Sequence, residues 1–146
     1  MDKRAEFIAL MQRIAPQQGM TPIAGGILAV LLYDGSELSF GDLARELQVS
    51  RGSISTNTRM LASCHVIERL RKPQDRQDYF RITGDLHVGL LGEMVRNLTE
   101  TSEEILALSR TLPPEAESPR TRIAAYASFY ADIASALGAV IERGKG

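Results

Sequence analysis

The stretch from Asp42 to Leu61, DLARELQVSRGSISTNTRML, constrains this chain more than any other. Leu43, Ala44 and Leu47 mark the apolar side of a short helix, and Ser39 is placed to cap it, with Asp42 three residues on as its partner. Val49 falls in a tight turn, Ser50 offers a second capping hydroxyl, and another helix is expected from about Arg51 to Ser63. Two helices joined by so short a turn read as a helix-turn-helix. At about 100° per residue, with Ile54 at the centre of the inner face, Leu61 and His65 fall beside it. Gly52, Ser55, Thr56, Arg59 and Ser63 fall on the opposite side, flanked by Ser53 and Met60. Small hydroxyl residues at the start of a helix, with an arginine one turn later, suit entry into a DNA major groove, because bulkier residues would hold the backbone off the base edges. Arg51 lies nearer the flank, within reach of a phosphate. Taken alone, the motif fits a core-filling helix pair as well.

The residues directly after the motif favour groove binding. From Val66 the pattern changes to VIERLR, a turn-rich KPQDRQ and DYFRIT, which reads as a two-stranded hairpin. Lys72 and Arg76 crowd its tip, with Arg69, Arg71 and Arg81 along its strands. A basic hairpin after a helix-turn-helix makes a wing that can lie along the adjacent backbone or minor groove. The whole chain carries a net charge of -1, so binding to a polyanion through bulk charge is excluded. Residues 42 to 82 nevertheless hold eight basic and five acidic side chains, a local excess of +3, so the positive charge is segregated on this module.

The rest of the chain is helical. Phe7, Leu10, Met11 and Ile14 share one stripe that ends at Pro16 and Gly19. Thr21 and Pro22 open a second helix, Ile23 to Tyr33, apolar nearly all round and therefore expected to be buried. Its Gly25 and Gly26 imply close approach of another backbone. A long helix is expected from Asp85 to Leu112, with Leu86, Leu90, Leu91, Met94, Leu98 and Ile105 on its apolar side. After the connector LPPEAESP, a final helix carries Ile123, Tyr126, Ala127, Tyr130, Ile133, Leu137 and Ile141. At 146 residues a single domain is expected, mainly α with one β-hairpin wing. Its parts are a helix over 1–20, a winged helix-turn-helix over 21–83 and a helical region over 84–146. The helix from Asp85 to Leu112 and the stripe from Tyr126 to Ile141 carry more apolar surface than one small module covers, which points to a homodimer.

The order of helices, with TPIAGGILAVLLY, VSRGSIS, IERLR and DRQDYF, resembles the MarR superfamily of winged-helix regulators, and within it the GbsR-like branch. The resemblance covers essentially the whole chain and is strongest over 21–83. It implies a transcriptional regulator, a repressor released by a small-molecule effector, that binds a pseudo-palindromic double-stranded DNA operator as a homodimer. Carried over residue by residue, it makes Ser50, Arg51, Gly52, Ser53, Ser55, Thr56 and Arg59 the major-groove reader, and Arg76 the wing-tip contact with Lys72 beside it. Asn57 and Thr58 depart from the pattern, since an apolar residue is usual on this part of the inner face.

Other signals are weaker. His65 and His87 have no metal-ligand or catalytic spacing, so no enzymatic activity, metal or cofactor is expected. His65 reads as a hydrogen-bonded histidine on the inner face. Cys64, the only cysteine, reads as core rather than as a thiol sensor. GDLHVGLLGE lacks the Lys-Ser/Thr of a phosphate loop. Tyr126, Phe129 and Tyr130 read as a packing surface rather than a cage for a cationic effector. The N-terminus shows no export signal, and Asp132 interrupts the apolar C-terminal block, so a cytoplasmic location without membrane contact is expected. A protein-interaction adaptor without specific DNA binding is the alternative from a different class.

Overall fold

Thr21 begins α2 (Pro22–Asp34) as the residue pattern demands: its hydroxyl accepts from the Ala24 N–H at 3.0 Å, and Pro22 occupies the first turn, where no donor is needed. The computed structural model describes residues 2–144 and divides the chain into two units, Met1–Leu86 and His87–Gly146. In the first, α1 (Lys3–Ile14) starts on the Asp2 cap and runs into a 3-10 turn, Ala15–Gln18, which ends at Gly19 in the left-handed conformation. Eight consecutive residues of α2, Ala24 to Leu31, are buried. Large apolar side chains each contribute about 1.5–3 kcal/mol when fully buried, so α2 is the principal apolar element of the unit.

The two glycines of α2 are explained by its neighbours. A Cβ at Gly25 would stand 2.5 Å from the Met11 carbonyl oxygen and 2.8 Å from the Ala15 Cβ, so α1 lies directly against the α2 backbone. On Gly26 it would meet Leu47 Cδ2 at 2.9 Å, on the side of the helix α3 (Phe40–Leu47). Arg4 closes the arrangement at the surface. Its guanidinium donates to both Asp34 carboxylate oxygens at 2.8 Å and to Glu46 at 3.1 Å, joining α1 to the end of α2 and to α3. The same hydrogen bonds hold the Asp34 carboxyl below the usual carboxylate range.

Then come α3 (Phe40–Leu47) and α4 (Arg51–Ser63), the expected pair. Ser39 and Asp42 form a reciprocal capping box, and Gln48 turns the chain in the left-handed conformation. The hairpin strands are β2 (Ile67–Arg71) and β3 (Asp78–Ile82), paired antiparallel with Ile67 opposite Ile82 and Arg69 opposite Phe80. A short strand, β1 (Leu38–Ser39), adds to the far edge of β3, with Leu38 opposite Phe80, so the sheet has three strands in the order β1-β3-β2 rather than the two expected. Ile27, Leu31, Leu43, Ile54, Leu61 and Phe80 form the centre of the core.

His65 corrects the inner-face reading. The helix stops at Ser63, Cys64 is its half-buried cap, and His65 takes a left-handed φ of 59° with its side chain exposed. Its backbone is what matters there: the carbonyl accepts from the Thr83 hydroxyl at 3.0 Å, tying the start of the hairpin to its end.

The second unit contains α6 (Glu117–Gly144) and α5 (Leu86–Ser109), whose first residue belongs to the first unit. The α5 helix ends three residues before the expected Leu112, and Arg120 donates to the Leu112 and Pro113 carbonyls across the connector. Its buried residues are small, Gly89, Ser102 and Ser109, while α6 buries Ala127, Ala134 and Ile141 at intervals of seven. The Ser102 hydroxyl donates to the Ala127 carbonyl at 2.9 Å, so the two backbones approach closely. The single stripe expected on α6 is divided: Ala127 faces inward, whereas Tyr126 is 55% exposed, as is its neighbour Phe129 at 58%. By length and composition alone Pro114–Gly144 would suffice for a bilayer crossing despite Asp132, with 11% of its most apolar window buried.

Candidate nucleic-acid interface

The recognition-type helix α4 is built from its cap. Ser50 is extended, its Oγ accepts from the Ser53 N–H at 3.1 Å, and its hydroxyl lies 3.0 Å from Ser53 Oγ, so these two predicted contact residues also hold the helix start together. The Arg51 guanidinium sits 4.8 Å over the Phe40 ring, a cation–π contact that keeps it beside the first turn. Gly52, Thr56 and Arg59 are exposed, and Ser53 and Ser55 half-buried. The only outside atom near a Cβ at Gly52 would be Ser50 Oγ at 3.9 Å, so nothing in the fold requires glycine there. The missing side chain instead keeps the outer face low. Arg59 folds back, its Nε donating to the Ser55 carbonyl at 3.2 Å.

Asn57 and Thr58 point inward and are satisfied. Thr58 donates to the Ile54 carbonyl at 2.7 Å. Asn57 is 6% exposed, donates through Nδ2 to the Ser53 carbonyl at 2.8 Å, and accepts at Oδ1 from the Thr21 hydroxyl at 2.5 Å. Thr21 thus caps α2 with one lone pair and bonds α4 with its proton. A buried polar group so paired costs little and aligns the helix; left unpaired, it would cost about 1–3 kcal/mol.

On the hairpin, most of the positive charge is already partnered. Arg71 and Arg69 lie 2.9 and 3.8 Å from Asp78, Arg81 lies 2.9 Å from Glu68, and Lys72 lies 2.7 Å from Glu37. The Lys72 ammonium also rests 4.2 Å over the Tyr79 ring. Its hydrogen bond to Glu37 raises the Lys72 pKa and lowers that of Glu37. At the tip, Asp75 accepts from the Tyr79 hydroxyl and the Gln77 N–H, which holds its carboxyl below the usual range and pushes Tyr79 up. Arg76 is exposed and has no hydrogen-bond or ion-pair partner among the described residues. Between α4 and the sheet runs an open cleft of about 520 Å³ lined by Ser55, Arg59, Arg69 and Phe80, among others.

The arrangement is a low helix face carrying hydroxyls and an arginine, beside a hairpin whose tip presents Arg76 as a cation unpartnered among the described residues. No family model matches the chain. Over 99 residues it is 35% identical to the HTH-type transcriptional regulator MmpR5 of Mycobacterium tuberculosis (strain ATCC 25618 / H37Rv), spanning 67% of this chain and 60% of that protein. The crystal structure of a transcriptional regulator matches it at a TM-score of 0.77 and 27% identity, over 97% of both chains. The fold is that of a winged-helix transcriptional regulator. In its terms α3 and α4 are the helix-turn-helix, and β2 and β3 with their connecting turn are the wing. Sequence reasoning placed the winged-helix elements but missed the partners of the wing's cations, of which Glu37 lies 35 residues before Lys72. Among the described residues no group of three His, Cys, Asp or Glu side chains is arranged to hold a metal ion.

Proposed function

We propose that the chain is a homodimeric, sequence-specific DNA-binding regulator of the MarR type, GbsR-like in its branch, which occupies a pseudo-palindromic operator as a repressor. The observation that carries this reading is the outer face of α4, where Gly52, Thr56 and Arg59 stand exposed while Ile54, Asn57, Thr58 and Leu61 are buried. Release occurs when a small effector changes the spacing of the two recognition helices. The test starts with duplexes enriched from a random-sequence pool by the purified protein. Thr56→Ala and Arg59→Ala should then relax discrimination at symmetric positions of the enriched site, by about 1–3 kcal/mol where a bidentate base contact is lost, more for the arginine. Equal weakening on enriched and scrambled duplexes would make them phosphate contacts and remove the readout assigned to this face.

Dimerisation is supported by the large apolar side chains left uncovered, which include Met94, Leu108, Tyr126 and Phe129 on α5 and α6. Sedimentation at micromolar concentration should give twice the chain mass of 16.0 kDa. A monomer at that concentration would sink the two-half-site scheme.

The adaptor reading draws support from the hairpin, where Arg69, Arg71, Lys72 and Arg81 are all paired with carboxylates. Salt separates the two, since DNA affinity falls steeply as phosphate contacts release counterions, and an adaptor shows no such slope.

A further inference from the structure

We propose that Gln77 is the positioning residue of the wing: by capping α3 with its side chain, it sets the direction in which Arg76 is presented. The inference rests on the DNA-binding reading above and assigns a role to a residue that touches no nucleic acid in it.

The first-turn N–H groups of a helix have no partner within the helix. In α3 the Ser39 hydroxyl takes the Asp42 N–H, and the Asp42 carboxylate takes the Ser39 N–H. The Gly41 N–H is taken by Gln77 Oε1 at 3.1 Å, from 36 residues further along the chain. A Cβ at Gly41 would lie 2.9 Å from that same oxygen, so the glycine leaves the space that Gln77 fills.

Gln77 is also part of a turn bonded within itself. The Asp75 N–H donates to the Lys72 carbonyl at 3.2 Å, Gln74 takes a left-handed φ of 64°, and Asp75 binds both the Gln77 N–H and the Tyr79 hydroxyl. Residues 72 to 79 therefore move together, and Arg76 rides on that body with no described partner to hold its side chain. Beyond the β ladder and the pairs that Asp78 makes with Arg69 and Arg71 on the neighbouring strand, two ties among the described residues fasten the body to the rest of the unit: Lys72 to Glu37, and Gln77 to the Gly41 backbone. The second joins the residue next to Arg76 directly to the helix-turn-helix. A cation presented in a fixed direction loses less conformational freedom on binding, which is how a residue without a contact influences affinity.

The test compares parent, Arg76→Ala, Gln77→Ala, the double variant and Gly41→Ala on a duplex enriched by the parent from a random-sequence pool, across a range of salt. Arg76→Ala and Gln77→Ala should each lower affinity several-fold and reduce the salt slope by up to about 0.9, the value of one phosphate contact. The double variant should lose no more than Arg76→Ala alone. Gly41→Ala, which displaces the Gln77 side chain and leaves it free to meet DNA, should behave like Gln77→Ala. Hydrogen exchange of the Gly41 amide should accelerate in Gln77→Ala and return toward the parent rate in Gln77→Glu, which keeps the acceptor. Losses that add in the double variant, or Gly41→Ala binding as the parent does, would make Gln77 an independent contact and overturn the proposal. If Arg76→Ala itself binds as tightly as the parent, the wing-tip contact falls and this role falls with it; if only Gln77→Ala is silent, the wing contact stands and this role alone is wrong.

Discussion

Ile54→Ala should lower stability by about 2–5 kcal/mol and change DNA sequence preference not at all. Ile54 is fully buried in the core with Leu43, Leu61 and Phe80, and the cavity left by three missing carbons cannot be refilled by a helix whose rotation is held by the hydrogen bond from Thr21 to Asn57. Stabilities of single domains are of order 5–15 kcal/mol, so this loss is a large share of the total, and at the low end of that range it would leave a substantial unfolded fraction. Chemical denaturation monitored by circular dichroism gives the change in midpoint, and binding measured per folded molecule separates the two effects. A variant that keeps its stability but reads a different site would mean that the wrong face of α4 has been assigned to DNA.

Gly25→Val should be the other large effect, costing roughly 2 kcal/mol or more through overpacking. The added Cβ meets the Met11 carbonyl oxygen, a backbone atom that moves only if α1 moves. Amide exchange along α1 should therefore rise well above the exchange in α3 and α4. Gly52→Ala is the matched control. Its surroundings are open, so replacing glycine inside a helix should stabilise the protein by about 0.5–1 kcal/mol. If Gly25→Val unfolds no more easily than the parent, α1 does not dock on α2 as described.

What was legible in the sequence was local. The caps at Thr21, Ser39 and Ser50 act within three residues of themselves, so α2, α3 and α4 begin where the pattern places them. Strand β1 escaped because a two-residue strand has no period; it exists only because β3 offers it an edge. Extending the 3.6-residue period two residues past Ser63 places His65 on the inner face, but the helix ends at Ser63 and His65 is itself a left-handed residue beyond the cap. The outer face of α4 came from the wheel, and its exposed Gly52, Thr56 and Arg59 agree with it. The electrostatics of the wing did not, because Lys72 and Arg71 are neutralised by carboxylates that only the folded sheet brings near. Counting charges along the chain cannot distinguish a cation with a partner from one without.

The bond from Thr21 to Asn57 carries one further consequence. It joins the start of one helix to the middle of another, and turning α4 by a single residue, about 100°, would break it. Presentation and readout are thereby assigned to different residues of the same helix. On the proposed DNA-binding reading, replacements at positions 52, 56 and 59 would alter what the outer face recognises without disturbing how the helix is held. A lineage carrying this chain can drift from one target site to another through intermediates that all fold, with Thr21 and Asn57 left untouched.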